Sequence, residues 1–271
     1  MTDDQLSSDM KKYFSGECLY GDDFDAPSIK QWYQDEEDAY YDLAHSIPSY
    51  EYHQFNEYYG YSSIAGRKFK VCLAFGCANG DDVKSISNIV DRYIALEPAE
   101  KWWKNEIGGK PAQYVKPSVS GTIPLEDGTV EIGVCLGVLH HIPNVTHVVS
   151  EIYRVLSVNG VLLLREPIFS MGDWRQKRKG LTSRERGIPP QLLLDILRNA
   201  GFEVTAAYPC MVPITARIAR LFGITNAYNS RAMVFLDRFC SLLLRWNMRY
   251  HRRNILEKLA PTSLYIVATK N

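Results

Sequence analysis

The chain has no net charge: its 31 Lys and Arg balance 31 Asp and Glu. That balance argues against a dedicated nucleic-acid binder, which carries a basic excess. It has no CxxC pair among Cys18, Cys72, Cys77, Cys135, Cys210 and Cys240. A structural zinc site is therefore not expected, and a reducing, cytoplasmic setting is. No apolar run approaches the roughly 20 residues of a membrane-spanning helix. The first residues are acidic and polar, so no secretory signal is expected. Internal repeats and low-complexity linkers are missing too.

What is present is uneven. The 271 residues are 46% hydrophobic, enough for one large domain with embellishments. Residues 1–60 hold 14 Asp and Glu against 3 Lys, whereas residues 211–254 hold 8 Arg against 1 Asp. The two segments could attract each other or face different partners. Ten of the 17 tyrosines precede residue 62. We read residues 1–66 as a helical cap, broken near Pro48, and 67–271 as the main domain.

From residue 67 the rhythm becomes strand and helix in alternation. KFKVCLAF, RYIALEP, AQYVKP, VEIGVCLGVL and VLLLREP read as strands. DDVKSISNIV, AEKWWKNEI and NVTHVVSEIYRVLS read as helices, the last closed by Asn159-Gly160. Such alternation predicts a parallel sheet wound by crossovers. PQLLLDILRNAGF is a further helix, with proline at its start and Gly201 as its cap. FEVTAAYP and SLYIVATK are two more strands, separated by a helical insertion at about 210–261.

Open parallel sheets bind ligands at the carboxyl ends of their strands. VCLAFGCANGDD places Phe75, Gly76, Cys77, Ala78, Asn79, Gly80 and Asp81 there. Glycines at 76 and 80 let the backbone turn sharply and approach a ligand. Glu97 ends the next strand, 21 residues after Gly76, where a carboxylate accepts both hydroxyls of a ribose.

These stretches, with IALEPAEKW, GTIPLEDGTVEIGVCLGVLHHIPN and IYRVLSVNGVLLLREP, occur in an order that resembles the class I S-adenosylmethionine-dependent methyltransferases of the small-molecule branch. The resemblance covers roughly residues 69–167 plus LRNAGFEV. It implies a Rossmann-like α/β fold with a seven-stranded, mostly parallel sheet, its last strand antiparallel, and helices on both faces. It implies S-adenosylmethionine as cofactor. The 76–80 turn would pass beneath the methionine and ribose, Glu97 would take the ribose hydroxyls, and Pro98 and Ala99 would lie beside the adenine. Ser120, Gly121 and Thr122 would bracket that ring, and Leu136 and Gly137 would flank the methionine. Departures are Ala74, Val119 or Ser118, and Val130, where the family often carries acids or an FD pair.

Methyl transfer needs a nucleophile held in line and water excluded. His140 or His141 beyond the fourth strand would serve as base for a hydroxyl. No metal cluster stands out at ligand spacing. The expected acceptor is small or lipid-linked, such as a sugar, glycan or secondary metabolite. Alternatives are a quinone or lipid methyltransferase and a non-catalytic cofactor-binding descendant. In the insertion, Val234, Phe235, Arg238, Phe239, Leu242, Arg245, Trp246 and Arg249 follow helical spacing. We expect a packed lid there, with peripheral membrane contact as the alternative.

Overall fold

The computed structural model describes residues 10–43, 50–174, 176, 178–182 and 184–271, with backbone only over 38–43. The predicted break near Pro48 lies outside them. An eight-stranded sheet forms the centre. In chain order its strands are β1 (Phe69–Phe75), β2 (Val90–Leu96), β3 (Glu106–Ile107), β4 (Lys110–Val115), β5 (Val130–Leu136), β6 (Leu156–Pro167), β7 (Phe202–Cys210) and β8 (Ser263–Lys270). The spatial order is β3-β4-β2-β1-β5-β6-β8-β7. β1, β2, β4, β5 and β6 run parallel, and β8 runs antiparallel to both β6 and β7. The order reverses at β1, between β2 and β5, which makes that edge the ligand crevice of such sheets.

Alternation along each strand feeds two core layers. Leu73, Phe75 and Cys135 face one; Cys72, Ala74 and Val134 face the other. Ala74 is fully buried, so an acid there would enter the apolar layer rather than a binding site. The helices are α1 (Ala26–Leu43), α2 (His53–Tyr59), α3 (Val145–Val155), α4 (Pro190–Ala200), α5 (Pro213–Leu221) and α6 (Arg231–Leu244). α4 follows its sequence signals: proline in the first turn and Gly201 at φ 106° as cap.

Several expectations need correction. After the glycine turn there is one 3-10 turn, Lys84–Ile86, and no α-helix. Ser, Asn and β-branched residues make KSISNI a poor helix former, and β2 already begins at Val90. AEKWWKNEI also gives only a 3-10 turn, Glu100–Trp102. Its end pairs antiparallel with β4 across Gly108 and Gly109, both at positive φ. A two-residue Gly-Gly hairpin thus adds the strand beyond the seven expected. Asn159 and Gly160 do not cap α3; they sit within β6, where the register against β5 shifts.

The insertion does not pack as expected. α6 buries Val234, Asp237 and Ser241, while Phe235, Phe239, Leu242 and Trp246 are exposed. Asp237 explains the facing: its carboxylate takes the N–H of Met211 and Val212 and the Thr215 hydroxyl. Among the described residues, the acidic N-terminal segment pairs with groups outside 211–254. Asp35 meets Arg184, Glu37 meets Lys116, and Asp22 takes the N–H and hydroxyl of Thr146 at the start of α3.

Candidate active site

A cavity of about 430 Å³ opens at the carboxyl ends of β1, β2 and β5. Phe75, Gly76, Leu96, Glu97, Pro98 and Ala99 form its floor, with Gly137 and Val138 at one end. Ser118, Val119 and Gly121 close one side, and Tyr33, Glu36 and Glu37 of α1 lie over it. Its size is ordinary for a small-ligand site, about 300–1,000 Å³.

Glu97 organises the floor. It is 1% exposed. Its Oε2 accepts the Ala78 N–H at 2.9 Å and its Oε1 the Ala99 N–H at 3.0 Å. Burial raises its pKa against the pull of those two bonds. Ala78 has φ 48°, a left-handed conformation that costs a non-glycine residue about 1–2 kcal/mol. It is held by the Glu97 bond and by the Tyr114 hydroxyl on its carbonyl, 3.0 Å away. Gly76 needs its missing Cβ, which would lie 2.5 Å from Val138.

Of the residues singled out in the sequence, Phe75, Gly76, Glu97, Pro98, Gly121, Gly137 and His141 line the cavity. Cys77, Ala78, Asn79, Gly80 and Asp81 do not; they build the turn behind it, with Gly80 N–H on the Cys77 carbonyl and Asn79 bonded to Asp81. The Ser120 hydroxyl bonds Thr122, whose hydroxyl also lies 3.4 Å from His147 Nε2, and Leu136 is buried.

The two histidines part company. His141 lines the cavity, and its Nδ1 sits 2.7 Å from Glu36 Oε2 on α1. With Nδ1–H given to a carboxylate, Nε2 keeps the lone pair. Trp32, fully buried, anchors α1 by donating to the His141 carbonyl at 2.7 Å. His140 is buried away from the cavity, its Nδ1 2.8 Å from Glu166 and its Nε2 3.5 Å from Glu185. Glu166 is fully buried at the end of β6 and also takes the N–H of Val138, Leu139 and His140. Arg186, fully buried, donates to the carbonyls of Tyr20, Leu139, His140, Ile142 and Pro143. Glu166 and Arg186 thus clamp the loop that carries His141.

His140, His141 and Glu185 bring donor atoms within 4.8 Å of one another, a cluster that sequence spacing did not reveal. As a metal centre it would have to surrender the proton that joins His140 to Glu185. Burial alone would lower the His140 pKa, but the hydrogen bonds to Glu166 and Glu185 override it and raise it from 6.5 to about 9. His140 is therefore placed with Glu166 and Glu185 rather than on the cavity lining, where His141 lies. The folded pKa of His140 exceeds the unfolded one. Its contribution is therefore complete below pH 6.5 and is lost as pH rises through about 9. The difference is worth on the order of 3 kcal/mol. Denaturant melts in chelator-containing buffer are expected to lose stability of that order across this window. His140→Gln should be less stable at pH 6 and nearly flat; a slope as steep as the wild type would sink the assignment.

Residues 73–164 match a family described as a methyltransferase domain. A probable S-adenosylmethionine-dependent methyltransferase of Mycolicibacterium smegmatis is 29% identical over 135 residues, 49% of this chain and 51% of that protein. An uncharacterized transposon protein of Streptomyces fradiae is 25% identical over 175 residues, 57% of this chain and 48% of that protein. The chain spans about half the length of these curated relatives. A solved structure from Bacillus halodurans, described as a methyltransferase, superposes with TM-score 0.50 at 18% identity, covering 77% of this chain and 96% of the other. The 4+2 cyclase SpnF gives TM-score 0.53 at 14% identity, covering 90% and 95%. At such identities the structural likeness speaks for the fold alone.

Proposed function

We propose that this chain is a class I S-adenosylmethionine-dependent methyltransferase that moves the cofactor's methyl group to an oxygen of a small acceptor. The observation that carries the reading is the buried Glu97 carboxylate on the cavity floor. Each of its oxygens takes one backbone N–H and retains a lone pair, the acceptor set a ribose diol needs. Leu96, Pro98, Val119 and Val148 offer apolar walls for a base, and Gly76 and Gly137 leave backbone open at the opposite end. The residues present therefore fit the cofactor.

Bound there, the cofactor supplies an electrophilic methyl on a sulfonium. Phe75, Gly76, Glu97, Pro98, Gly121 and Gly137 hold it, and the turn from Cys77 to Asp81 shapes the floor from behind. His141 takes the proton of the acceptor hydroxyl, with Glu36 fixing its ring. Tyr33, Glu36 and Glu37 on α1 exclude water from that side. Sugars, secondary metabolites and lipid-linked acceptors all fall within the class. The exposed Phe235, Phe239 and Trp246, with arginines between them, support presentation of the acceptor on an apolar surface.

Calorimetric titration with S-adenosylhomocysteine tests the reading. Micromolar affinity is expected, and a folded wild type that does not bind at millimolar ligand would overturn it.

A further inference from the structure

Arg165 stands near the carboxyl end of β6, in register with Leu136 on β5 and Tyr265 on β8. It is 8% exposed, and its Nη1 is buried without a hydrogen-bond partner. Among the described residues no carboxylate forms an ion pair with it. Its Cζ lies 4.4 Å from the Tyr52 ring centroid and 5.7 Å from that of Phe55. Such contacts return only part of what burying an ion costs. The balance leaves a guanidinium short of an anion.

Its surroundings point the same way. The Tyr265 hydroxyl and Asn56 Oδ1 are also buried without partners. Asn56 Nδ2 donates to the Tyr50 hydroxyl at 2.6 Å, and Tyr50 in turn feels the Arg165 charge. Asp82 feels it too, yet is a poor counter-charge: burial lifts its pKa to about 7, so near neutrality it is only partly ionised. The guanidinium lies behind the cavity wall at Gly137, next to His140 Cε1, which would stand 3.8 Å from a Cβ at 137. A Cβ at Gly137 would lie 3.6 Å from Arg165 Nη2, and Gly137 lines the cavity wall. At Gly137 no side chain stands between the cavity and Arg165.

We propose that Arg165 anchors an anionic group, a carboxylate or a phosphate, of the molecule held at the Gly137 end of the cavity. A planar guanidinium presents two parallel N–H donors to either group. The methyltransferase reading bears only on which molecule carries the anion: the cofactor, through its amino-acid carboxylate, or the acceptor. In the second case the acceptor is an acid or phosphate ester bearing a hydroxyl.

Calorimetry on the full chain separates these. Wild type, Arg165→Met and Arg165→Lys are titrated with S-adenosylhomocysteine and with methylthioadenosine, which lacks the carboxylate. Inorganic phosphate is then titrated with and without saturating methylthioadenosine. If the anion is the cofactor's, Arg165→Met weakens S-adenosylhomocysteine roughly 10- to 100-fold and leaves methylthioadenosine unchanged. If it is the acceptor's, both nucleosides bind the variant as they bind the wild type, and phosphate binds only the wild type. Circular dichroism melts check folding. Should Arg165→Met not fold, Arg165→Lys carries the comparison, since a point charge cannot replace the paired donors. Unchanged affinity for all three ligands in a folded variant would overturn the proposal. Phosphate binding through Arg165 in a wild type that takes neither nucleoside would keep the anion site and overturn the methyltransferase reading.

Discussion

With His141 replaced by alanine, methyl transfer to a hydroxyl acceptor is expected to fall about 100-fold in kcat, the usual worth of a positioned general base. Affinity for S-adenosylhomocysteine should stay within a few-fold, because no polar atom of His141 is assigned to the cofactor. Glu36→Gln should cost less, on the order of tenfold, since the ring remains but loses the carboxylate that fixes its tautomer and steadies its charged form. The measurement is single-turnover transfer of labelled methyl across pH. A His141→Ala enzyme with unchanged kcat and weakened acceptor binding would make His141 a positioning residue and leave deprotonation to solvent. Asp82, beside the Gly76–Gly80 turn, has its pKa raised by burial to about 7 and would itself shape a pH profile near neutrality. Its presence makes the His141 variant, rather than a pH profile of the wild type alone, the decisive comparison.

The pair Glu36–His141 also shows where sequence reading ends. The two residues are 105 positions apart, and Glu36 sits in a run of acids with no periodicity to distinguish it. Nothing local marks which carboxylate α1 will deliver to the cavity; packing of Trp32 against the loop after β5 decides it. Arg186 is hidden for the same reason, its five carbonyl partners being supplied by two other segments. By contrast the strands, the glycine turn and Glu97 were legible, because each depends on alternation or spacing within about 20 residues. Glu166 carries the same signal as Glu97, an acid closing an apolar strand. The two crossover helices were misread because a glycine turn followed by an acid predicts a helix start, whereas early pairing of β2 and the Gly-Gly hairpin took those residues first. The stripe on α6 was misread because helical spacing reveals a face without saying which neighbour covers it. Asp237 fixes that face by taking the N–H of Val212 and the Thr215 hydroxyl beside α5.

Glu97→Ala is expected to weaken S-adenosylhomocysteine about 100-fold. Two hydrogen bonds to a charged acceptor contribute roughly 1.5 kcal/mol each, or about 3 kcal/mol together. The sharper test is Glu97→Gln. In many sites a glutamine rescues part of the loss, because one oxygen still accepts. Here both oxygens already accept a backbone N–H, from Ala78 on one side and Ala99 on the other. An amide must turn its NH2 toward one of them, setting donor against donor in a buried place. Turned toward Ala78, it also removes a bond that holds the left-handed backbone at φ 48°. The turn can then relax toward ordinary dihedrals and carry the Gly76 end of the floor with it. Glutamine should therefore bind no better than alanine, and its loss should extend to methylthioadenosine, which carries the same ribose. Arg165→Met gives the opposite pattern if it holds the cofactor's carboxylate, sparing methylthioadenosine, so the two variants report on opposite ends of one cavity. Wild-type affinity in Glu97→Gln would mean that the carboxylate only braces the turn, and that the ribose hydroxyls, if bound at all, find their acceptors elsewhere.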